Sequence, residues 1–284
     1  MQRTGIEYLT HTWNPLTMRC TPISEGCANC WHIAVADRLS KNPTMHLWDR
    51  AHYAGEKDQS GEIIGLKAKE LEAPYRRKKP AIIGVQFMGD LFHESVSFNH
   101  IHQVWDAMKA CPQHIFVVLT KRPERMQGVV ELIYSKERMG WANGFWNHVY
   151  LGVTAENQQR ADERISVLID IPAAVHFVSL EPLLGPIDLT HFDPGGMNNW
   201  NLLGGKGFVD GFGEVEKMPF ECLDWVICGG ESGPNARPMH PDWARGLRDQ
   251  CQEAGVPFFM KQMSGKTKAE RNAIPADLMI REYP

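Results

Sequence analysis

The sequence predicts an α/β fold in which a parallel sheet forms a partial or complete TIM-like (β/α) barrel of six or seven strands. Short apolar runs, rich in β-branched and aromatic residues, alternate with segments whose apolar residues have helical spacing. This alternation is typical of parallel sheets with helical crossovers. A chain of 284 residues, 43% hydrophobic and 23% charged, fits one such domain over residues 1–284.

The elements follow one another along the whole chain. The predicted strands lie at residues 6–13, 82–88, 115–119, 149–153, 175–180, 225–228 and 256–260. The predicted helices lie at 31–39, 101–110, 123–134, 158–169 and 243–254, and Gly255 is placed to cap the last of them. Two polar or glycine-rich insertions, at about 41–80 and 186–222, interrupt the alternation.

Charge and cysteine content narrow the class of protein. With a net charge of −4 and a pI of about 6.3, the protein as a whole has no electrostatic attraction to nucleic acid or membrane. The chain has no leader-like start and no apolar stretch long enough to span a bilayer. Seven cysteines are an odd number, which argues against a disulfide framework. We therefore expect a cytoplasmic protein without a membrane partner.

Three of the cysteines, Cys20, Cys27 and Cys30, share one short segment with the spacing C-x6-C-x2-C. Three thiolates can hold three irons of a [4Fe-4S] cluster and leave the fourth iron open to a ligand. The alternative is a zinc ion held by the same cysteines and His32, although structural zinc sites usually draw on two separated ligand pairs. A single disulfide is a third possibility.

Nearly every predicted strand ends in a charged residue. In parallel α/β folds the carboxyl ends of the strands form the active face, so these side chains are predicted to converge in one polar bowl. They are Asp90, Lys121, Glu156, Glu181, Glu231 and Lys261. Some, such as Asp90, could instead cap the helix that follows. Gly229 and Gly230 come directly before Glu231. Glycines at this position would let backbone groups approach a ligand. A tight turn without a ligand explains the two glycines as well.

With these motifs in view, the sequence resembles the radical-SAM enzymes, and more closely a phage-borne radical-SAM-like family. The matching stretches are Thr12-Trp13-Asn14-Pro15, the cysteine segment from Ser24 to Cys30, Gly89-Asp90-Leu91-Phe92-His93, Leu119-Thr120-Lys121-Arg122-Pro123, the segment from Leu151 to Asn157, the segment from Ser179 to Gly185, the segment from Gly229 to Gly233, and Phe259-Met260-Lys261-Gln262. Two features depart from the usual radical-SAM pattern. The first cysteine gap is six residues rather than three, and the Gly-Gly-Glu segment comes late.

The resemblance implies a [4Fe-4S] cluster on Cys20, Cys27 and Cys30, with S-adenosylmethionine bound at its open iron. It implies that the cofactor is cleaved to a radical that takes a hydrogen atom from substrate, with an electron donor such as flavodoxin or ferredoxin. The candidate cofactor-binding residues are Glu156, Asn157, Ser179, Gly229, Gly230 and Glu231. The candidate catalytic residues are Asp90, Lys121 and Glu181.

The substrate prediction rests on the likeness to phage proteins, because phages modify the bases of their own DNA. We expect a nucleobase or modified nucleotide in DNA, undergoing hypermodification, rearrangement or isomerisation of a base substituent in the host cytoplasm. Two basic clusters, at residues 76–79 and 121–125, could bind phosphates, although charge runs are usually solvated surface. The alternative function is a zinc-containing protein that binds nucleic acid without radical chemistry.

Overall fold

The computed structural model describes residues 1–136, 147–191, 198–203, 206–209, 213–215 and 222–284. The chain forms two compact units, Met1–Tyr150 and Leu151–Pro284, here called the amino-terminal and carboxy-terminal units. Among the described residues, no helix has both the length and the apolar character needed to cross a membrane.

The main sheet of the protein has eight strands. The strands of the chain are β1 (Gln2–Arg3), β2 (His11–Trp13), β3 (Leu16–Thr17), β4 (Gly65–Leu66), β5 (Ile82–Val85), β6 (Ile115–Thr120), β7 (Val149–Thr154), β8 (Val175–Leu180), β9 (Asn198–Asn201), β10 (Lys206–Val209), β11 (Gly213–Val215), β12 (Trp225–Gly229) and β13 (Phe258–Gln262). The main sheet has the order β1-β2-β5-β6-β7-β8-β12-β13. β1 pairs with β2 antiparallel, whereas β2 with β5, β5 with β6, β8 with β12 and β12 with β13 are parallel.

Helices occupy the segments between successive strands. They are α1 (Trp31–Ser40), α2 (Leu47–Ala54), α3 (Ala68–Leu71), α4 (Ala73–Arg76), α5 (Phe98–Lys109), α6 (Pro123–Lys136), α7 (Gln158–Ile169), α8 (Pro241–Ala254) and α9 (Lys268–Arg271). Local sequence sets several of their ends. The Ser97 side chain caps α5, Pro241 opens α8, and Gly255 ends α8 with φ 71°, as predicted.

The structure confirms the α/β class and the parallel arrangement of the sheet. All seven predicted strands correspond to strands of the main sheet, and the five predicted helices correspond to α1, α5, α6, α7 and α8. The eighth strand, β1, has only two residues, both exposed, so it gives no apolar signal in the sequence. Closure of the sheet into a TIM-like barrel stays a prediction.

The two insertions contain regular structure. Residues 41–80 hold α2, β4, α3 and α4, and β4 pairs with β3 in a small antiparallel sheet. This insertion buries Tyr53 and Ile64, which explains why it folds despite its polar composition. Residues 186–222 include β9, β10 and β11, which form a three-stranded antiparallel sheet. The rest of that insertion lies partly outside the described residues.

Each unit has its own aromatic core. In the amino-terminal unit Trp13 is fully buried against Phe116, with ring centroids 5.9 Å apart, and its indole N–H donates to the Glu70 carbonyl at 2.7 Å. In the carboxy-terminal unit all six residues of β8 are buried, and Phe177 packs on Trp225 at 5.8 Å. A strand buried on both faces is what a helix-covered parallel sheet requires. Packing in these cores fixes the positions of the strand ends, where the charged residues of the predicted site lie.

Candidate functional site

The three cysteines of the C-x6-C-x2-C segment lie on one loop of the amino-terminal unit. This cysteine loop, residues 18–30, leaves β3 and enters α1. A 3-10 turn covers Glu25–Cys27, and the Cys30 N–H donates to the Cys27 carbonyl at 3.2 Å, so one turn carries the last two thiols. All three cysteines are half-buried and outside disulfides, which leaves their sulfurs available as ligands.

Arg122, directly after β6, ties the cysteine loop to the sheet. Its Nη1 donates to the Cys20 sulfur at 3.8 Å and to Asp90 Oδ2 at 3.0 Å. Its Nη2 donates to the carbonyl and the hydroxyl of Thr21, both at 3.1 Å, and its Nε donates to Glu94 Oε1 at 2.7 Å. These contacts use the full donor capacity of the guanidinium group. The start of the loop is therefore held by one side chain.

Asp90, which follows β5, holds Arg122 in place. Asp90 Oδ1 accepts from the Phe92 N–H at 2.9 Å and the Thr120 hydroxyl at 2.8 Å. Asp90 Oδ2 accepts from the Lys121 N–H at 3.3 Å and from Arg122. Asp90 is only 5% exposed. Because both oxygens are occupied, Asp90 acts here as an organiser of the end of β6, and α5 is capped by Ser97 instead.

Burial and charge at this cluster act on the same two groups. Burial raises the pKa of the Cys20 thiol to about 12, and the carboxylate of Asp90 contributes, against the opposing effect of Arg122. Burial alone would lower the pKa of Arg122, but its hydrogen bond with Glu94 and the charge of Asp90 raise it above the ordinary value. A permanently charged guanidinium thus lies beside the Cys20 sulfur.

The donors of the cysteine loop fit a thiolate-bound cluster in kind and number. They comprise three reduced thiols on one loop, with an N–H donor already directed at one sulfur, and such hydrogen bonds tune iron–sulfur clusters. The described residues contain no group of three or more His, Cys, Asp or Glu side chains arranged to hold a metal ion. The sulfurs would therefore have to draw together on binding, which is common because metal binding is coupled to folding of the site.

His32, the fourth ligand of the zinc alternative, lies in the first turn of α1 and is 2% exposed. Burial and the positive charge of Arg19 lower the pKa of His32 to about 4, so its ring is neutral near pH 7. A neutral imidazole is the metal-binding form, but the same Arg19 charge opposes a cation. Arg19 also pairs with Asp37, and both ring nitrogens of His32 are buried without a hydrogen-bond partner among the described residues, so the zinc alternative stays a prediction.

A second set of predicted residues meets in the carboxy-terminal unit. The Lys261 ammonium donates to both carboxylate oxygens of Glu181, at 2.5 and 2.7 Å. The Gln262 amide donates to Glu181 Oε1 at 3.3 Å and to the Gly230 carbonyl at 2.9 Å. The side chains of Glu181 and Lys261 are 17% and 15% exposed. The pair is therefore sheltered yet reachable by a bound molecule.

At the end of β12, packing requires glycine at Gly230 and leaves little room beside Gly229. A Cβ at Gly230 would lie 2.2 Å from the Ser264 amide nitrogen, and one at Gly229 would lie 3.3 Å from the Glu181 carboxyl carbon. Glu231 is 5% exposed, and its carboxylate accepts from the Arg237 side chain at 2.5 and 2.9 Å. The turn thus brings the backbone close to neighbouring chain, and its role in cofactor binding stays a prediction.

The remaining predicted cofactor-binding residues have structural partners. Glu156 is fully buried, and its carboxylate accepts from Arg164 at 3.0 Å. The Asn157 side chain caps α7 by accepting from the Arg160 N–H at 3.0 Å. Ser179 is 2% exposed, within β8. A ribose or methionine role for these residues stays a prediction.

The structure brings predicted residues together within each unit. Cys20 and Asp90 both bind Arg122 in the amino-terminal unit, and Glu181 and Lys261 form an ion pair in the carboxy-terminal unit. Convergence of all six strand-end residues in one bowl stays a prediction. The side chain of Arg122, which was not selected, contacts the cysteine loop, and the catalytic role of Lys121 stays a prediction. The signal for Arg122 was its position beside Lys121 at a strand end.

Comparison with curated proteins gave no match, and comparison with solved structures gave none either. One protein-family model matches residues 3–281, and its description is that of a protein of unknown function, DUF5131. The match spans both units and includes the cysteine loop, Arg122 and the Glu181–Lys261 pair. The chain therefore belongs to the DUF5131 family of proteins of unknown function.

Proposed function

We propose that this protein is a radical S-adenosylmethionine enzyme whose Cys20, Cys27 and Cys30 hold a [4Fe-4S] cluster. The observation that carries the proposal is the cysteine loop itself. It presents three reduced, half-buried thiols and is anchored at its start by a buried arginine that donates to the first sulfur. When bound, such a cluster supplies the electron that cleaves S-adenosylmethionine to a 5′-deoxyadenosyl radical.

The amino-terminal unit supplies the electrostatic setting for the thiolates. Cys30 is the N-cap residue of the ten-residue helix α1. The Arg122 side chain donates an N–H to the Cys20 sulfur, and its charge opposes the burial that raises the pKa of that thiol to about 12. Cys20 therefore has a cationic hydrogen-bond donor at its sulfur, which supports binding of a cluster.

The carboxy-terminal unit supplies the proposed acid–base pair. Glu181 and Lys261 share hydrogen bonds and lie at the ends of β8 and β13, where α/β enzymes carry their active groups. The carboxylate can take a proton from a substrate, and the ammonium can return one. Glu181 thus keeps its proposed catalytic role, with Lys261 as its partner and Gln262 as the residue that orients it.

The proposed substrate is a nucleobase or modified nucleotide, within the partial TIM-like barrel that the resemblance implies. Trp31, the residue after Cys30, is 48% exposed and Ile23 of the same loop is 39% exposed. An exposed aromatic ring next to the proposed cluster ligand can stack on a base, and stacking contributes about 1–3 kcal/mol per base. A flavodoxin or ferredoxin would deliver the electron.

Anaerobic metal analysis combined with a cleavage assay tests the proposal. We expect wild-type protein reconstituted with iron and sulfide to be brown, to hold about four irons per chain, and to release 5′-deoxyadenosine from S-adenosylmethionine with a reductant. Cys27→Ser should lose the iron and the cleavage. Cys222→Ser is the matched control, since Cys222 is also half-buried but lies outside the loop, and it should keep both.

Two results would contradict the radical proposal. One zinc per chain in a colourless protein, lost in Cys27→Ser and in His32→Ala, would establish the zinc alternative. A protein that under strict anaerobiosis binds no iron and releases no 5′-deoxyadenosine would exclude the cluster.

A further inference from the structure

A cleft of about 500 Å³ lies in the amino-terminal unit, lined chiefly by charged groups. Five of them are cationic and one is a carboxylate. They are the Met1 ammonium, Arg76, Arg77, Lys78, Lys79 and Glu70. The volume falls within the range of small-molecule sites, about 300–1,000 Å³. The basic run that the sequence left as possible solvated surface therefore lines a shallow, largely open cleft.

The carboxylates in and near the cleft already form ion pairs with cationic groups. The Met1 ammonium pairs with Glu70, and Arg76 pairs with Glu72 at 3.3 Å. Within the described ranges, no carboxylate forms an ion pair with Arg77, Lys78 or Lys79. Three cationic side chains of the lining are therefore left without a counter-charge, which favours an anionic occupant.

Arg77 adds a second and independent observation. Its Nε is buried and has no hydrogen-bond partner among the described residues. A buried N–H without an acceptor costs free energy, and a guanidinium group is well suited to the oxygens of a phosphate. Because this Nε is already shielded from the cleft, a phosphate there would contact Arg77 through its terminal nitrogens and not through the Nε.

The positive charge of the cleft also helps to lower the pKa values of two nearby groups. Burial lowers the pKa of His11, and the positive charges of Arg77 and Arg3 lower it further. Burial also lowers the pKa of the Met1 ammonium, with Arg76 contributing. Cationic charge accumulates at this end of the unit because the basic run directly precedes β5 while Arg3 lies on β1.

The cleft is distinct from the cysteine site. Residues 76–79 precede β5, whereas Asp90, which holds the arginine of the cysteine loop, follows β5. The two sites therefore lie at opposite ends of the same strand, and the cleft does not depend on the proposed radical chemistry.

We propose that this cleft binds a phosphate-bearing ligand through Arg77, Lys78 and Lys79. Its phosphate oxygens would accept from the Arg77 guanidinium, and the two lysines would act as point charges. The ligand is either a small phosphate compound or the backbone of a nucleic acid strand, because both present the same group. The size of the cleft suits a nucleotide or a short piece of backbone.

Charge reversal in the cleft tests the proposal with two probes on the full chain. Pyrophosphate is titrated by calorimetry, and a fluorescein-labelled thymidine strand of about 12 nucleotides is titrated by anisotropy, both at low salt. We expect Lys78→Glu/Lys79→Glu to weaken binding about tenfold or more. The matched control is Lys41→Glu/Lys57→Glu, which makes the same charge change at exposed lysines outside the cleft and should change binding less than about twofold.

The outcome also identifies the source of the phosphate. Binding of pyrophosphate alone indicates a small ligand. Binding of the strand, with a slope of log K against log salt reduced by roughly 1.4 in Lys78→Glu/Lys79→Glu, indicates two backbone contacts. If neither probe binds at low salt, or if both double variants weaken binding equally, the cleft is solvated surface and the proposal is wrong. Circular dichroism of both variants confirms that they are folded.

Discussion

Replacement of Arg122 by glutamine tests whether one side chain anchors the cysteine loop. Glutamine keeps a polar side chain of moderate length but removes the charge and most of the donors. Asp90 would then keep a buried carboxylate without its cationic partner, and Thr21 would lose both hydrogen bonds from Nη2. We expect a large loss of stability together with release of the start of the loop.

The magnitude follows from the burial of the ion pair. The Arg122 and Asp90 side chains are each 6% exposed, and removing one partner of a buried pair costs about 3–5 kcal/mol. The Glu94 side chain is 62% exposed, so its bond adds less than about 1 kcal/mol. We therefore expect a loss of about 3 kcal/mol in the free energy of unfolding, which corresponds to a fall in Tm of roughly 6–12 °C.

Urea and thermal unfolding of the reduced protein provide the assay. Arg122→Lys keeps the charge without the planar fork and should fall between wild type and Arg122→Gln. In the double variant with Asp90→Asn the losses should be less than additive, by about 1–3 kcal/mol. Arg245→Gln is the control: Arg245 also bonds two carboxylates, Asp242 and Asp277, but on the surface, and its loss should leave Tm nearly unchanged.

A loss below about 1 kcal/mol for Arg122→Gln, equal to that of the surface control, would refute the reasoning. Iron loading separates the anchoring role from general stability. Arg122→Gln should bind less iron than wild type at a temperature where both are folded. Full iron loading together with the loss of stability would show that the loop closes without its anchor.

Two further predictions concern the turn after β12 and the pH dependence of stability. Gly230→Ala should lower the free energy of unfolding by about 2 kcal/mol or more, because the new Cβ would overlap the Ser264 amide. The control is Gly246→Ala, in an exposed part of α8 where no atom lies within 4 Å of the new Cβ, and it should raise the free energy of unfolding by about 0.5–1 kcal/mol. Equal effects of the two variants in urea unfolding would contradict this prediction. Burial lowers the pKa of His114 below its ordinary value of 6.5, so the unfolded chain takes up the proton first and the free energy of unfolding should decrease as pH falls below about 6.5. His114→Asn should reduce that slope, and an unchanged slope would show that other groups cause it.

Much of the fold follows from local sequence. The strands at 115–120 and 175–180 are short, mainly apolar runs, and α7 begins and ends where its periodicity predicts. β1 escaped prediction because two exposed residues carry no pattern. The helices of the insertion at 41–80 escaped prediction because they are short, and they are stabilised by packing that no local window shows.

The candidate site was predictable only as a set of residues. The spacing of Cys20, Cys27 and Cys30 marked the loop, and strand ends marked Asp90 and Glu181. The contacts of Arg122 with Asp90 and Thr21 escaped prediction because they join residues that are far apart in the chain. The pKa of Cys20 and the ion pair of Asp90 also depend on burial. Burial cannot be read from a residue and its neighbours in sequence.

The amino-acid sequence by itself determined the order of strands and helices, the cysteine loop and the presence of charged residues at strand ends, because these depend on residues close together in the chain. Tertiary structure alone decided the partners. Glu181 and Lys261 meet because β8, β12 and β13 pair in parallel with a defined register. Arg77 lines a cleft for the same reason, since a short basic run becomes part of a cleft only where the strands and helices around it are packed.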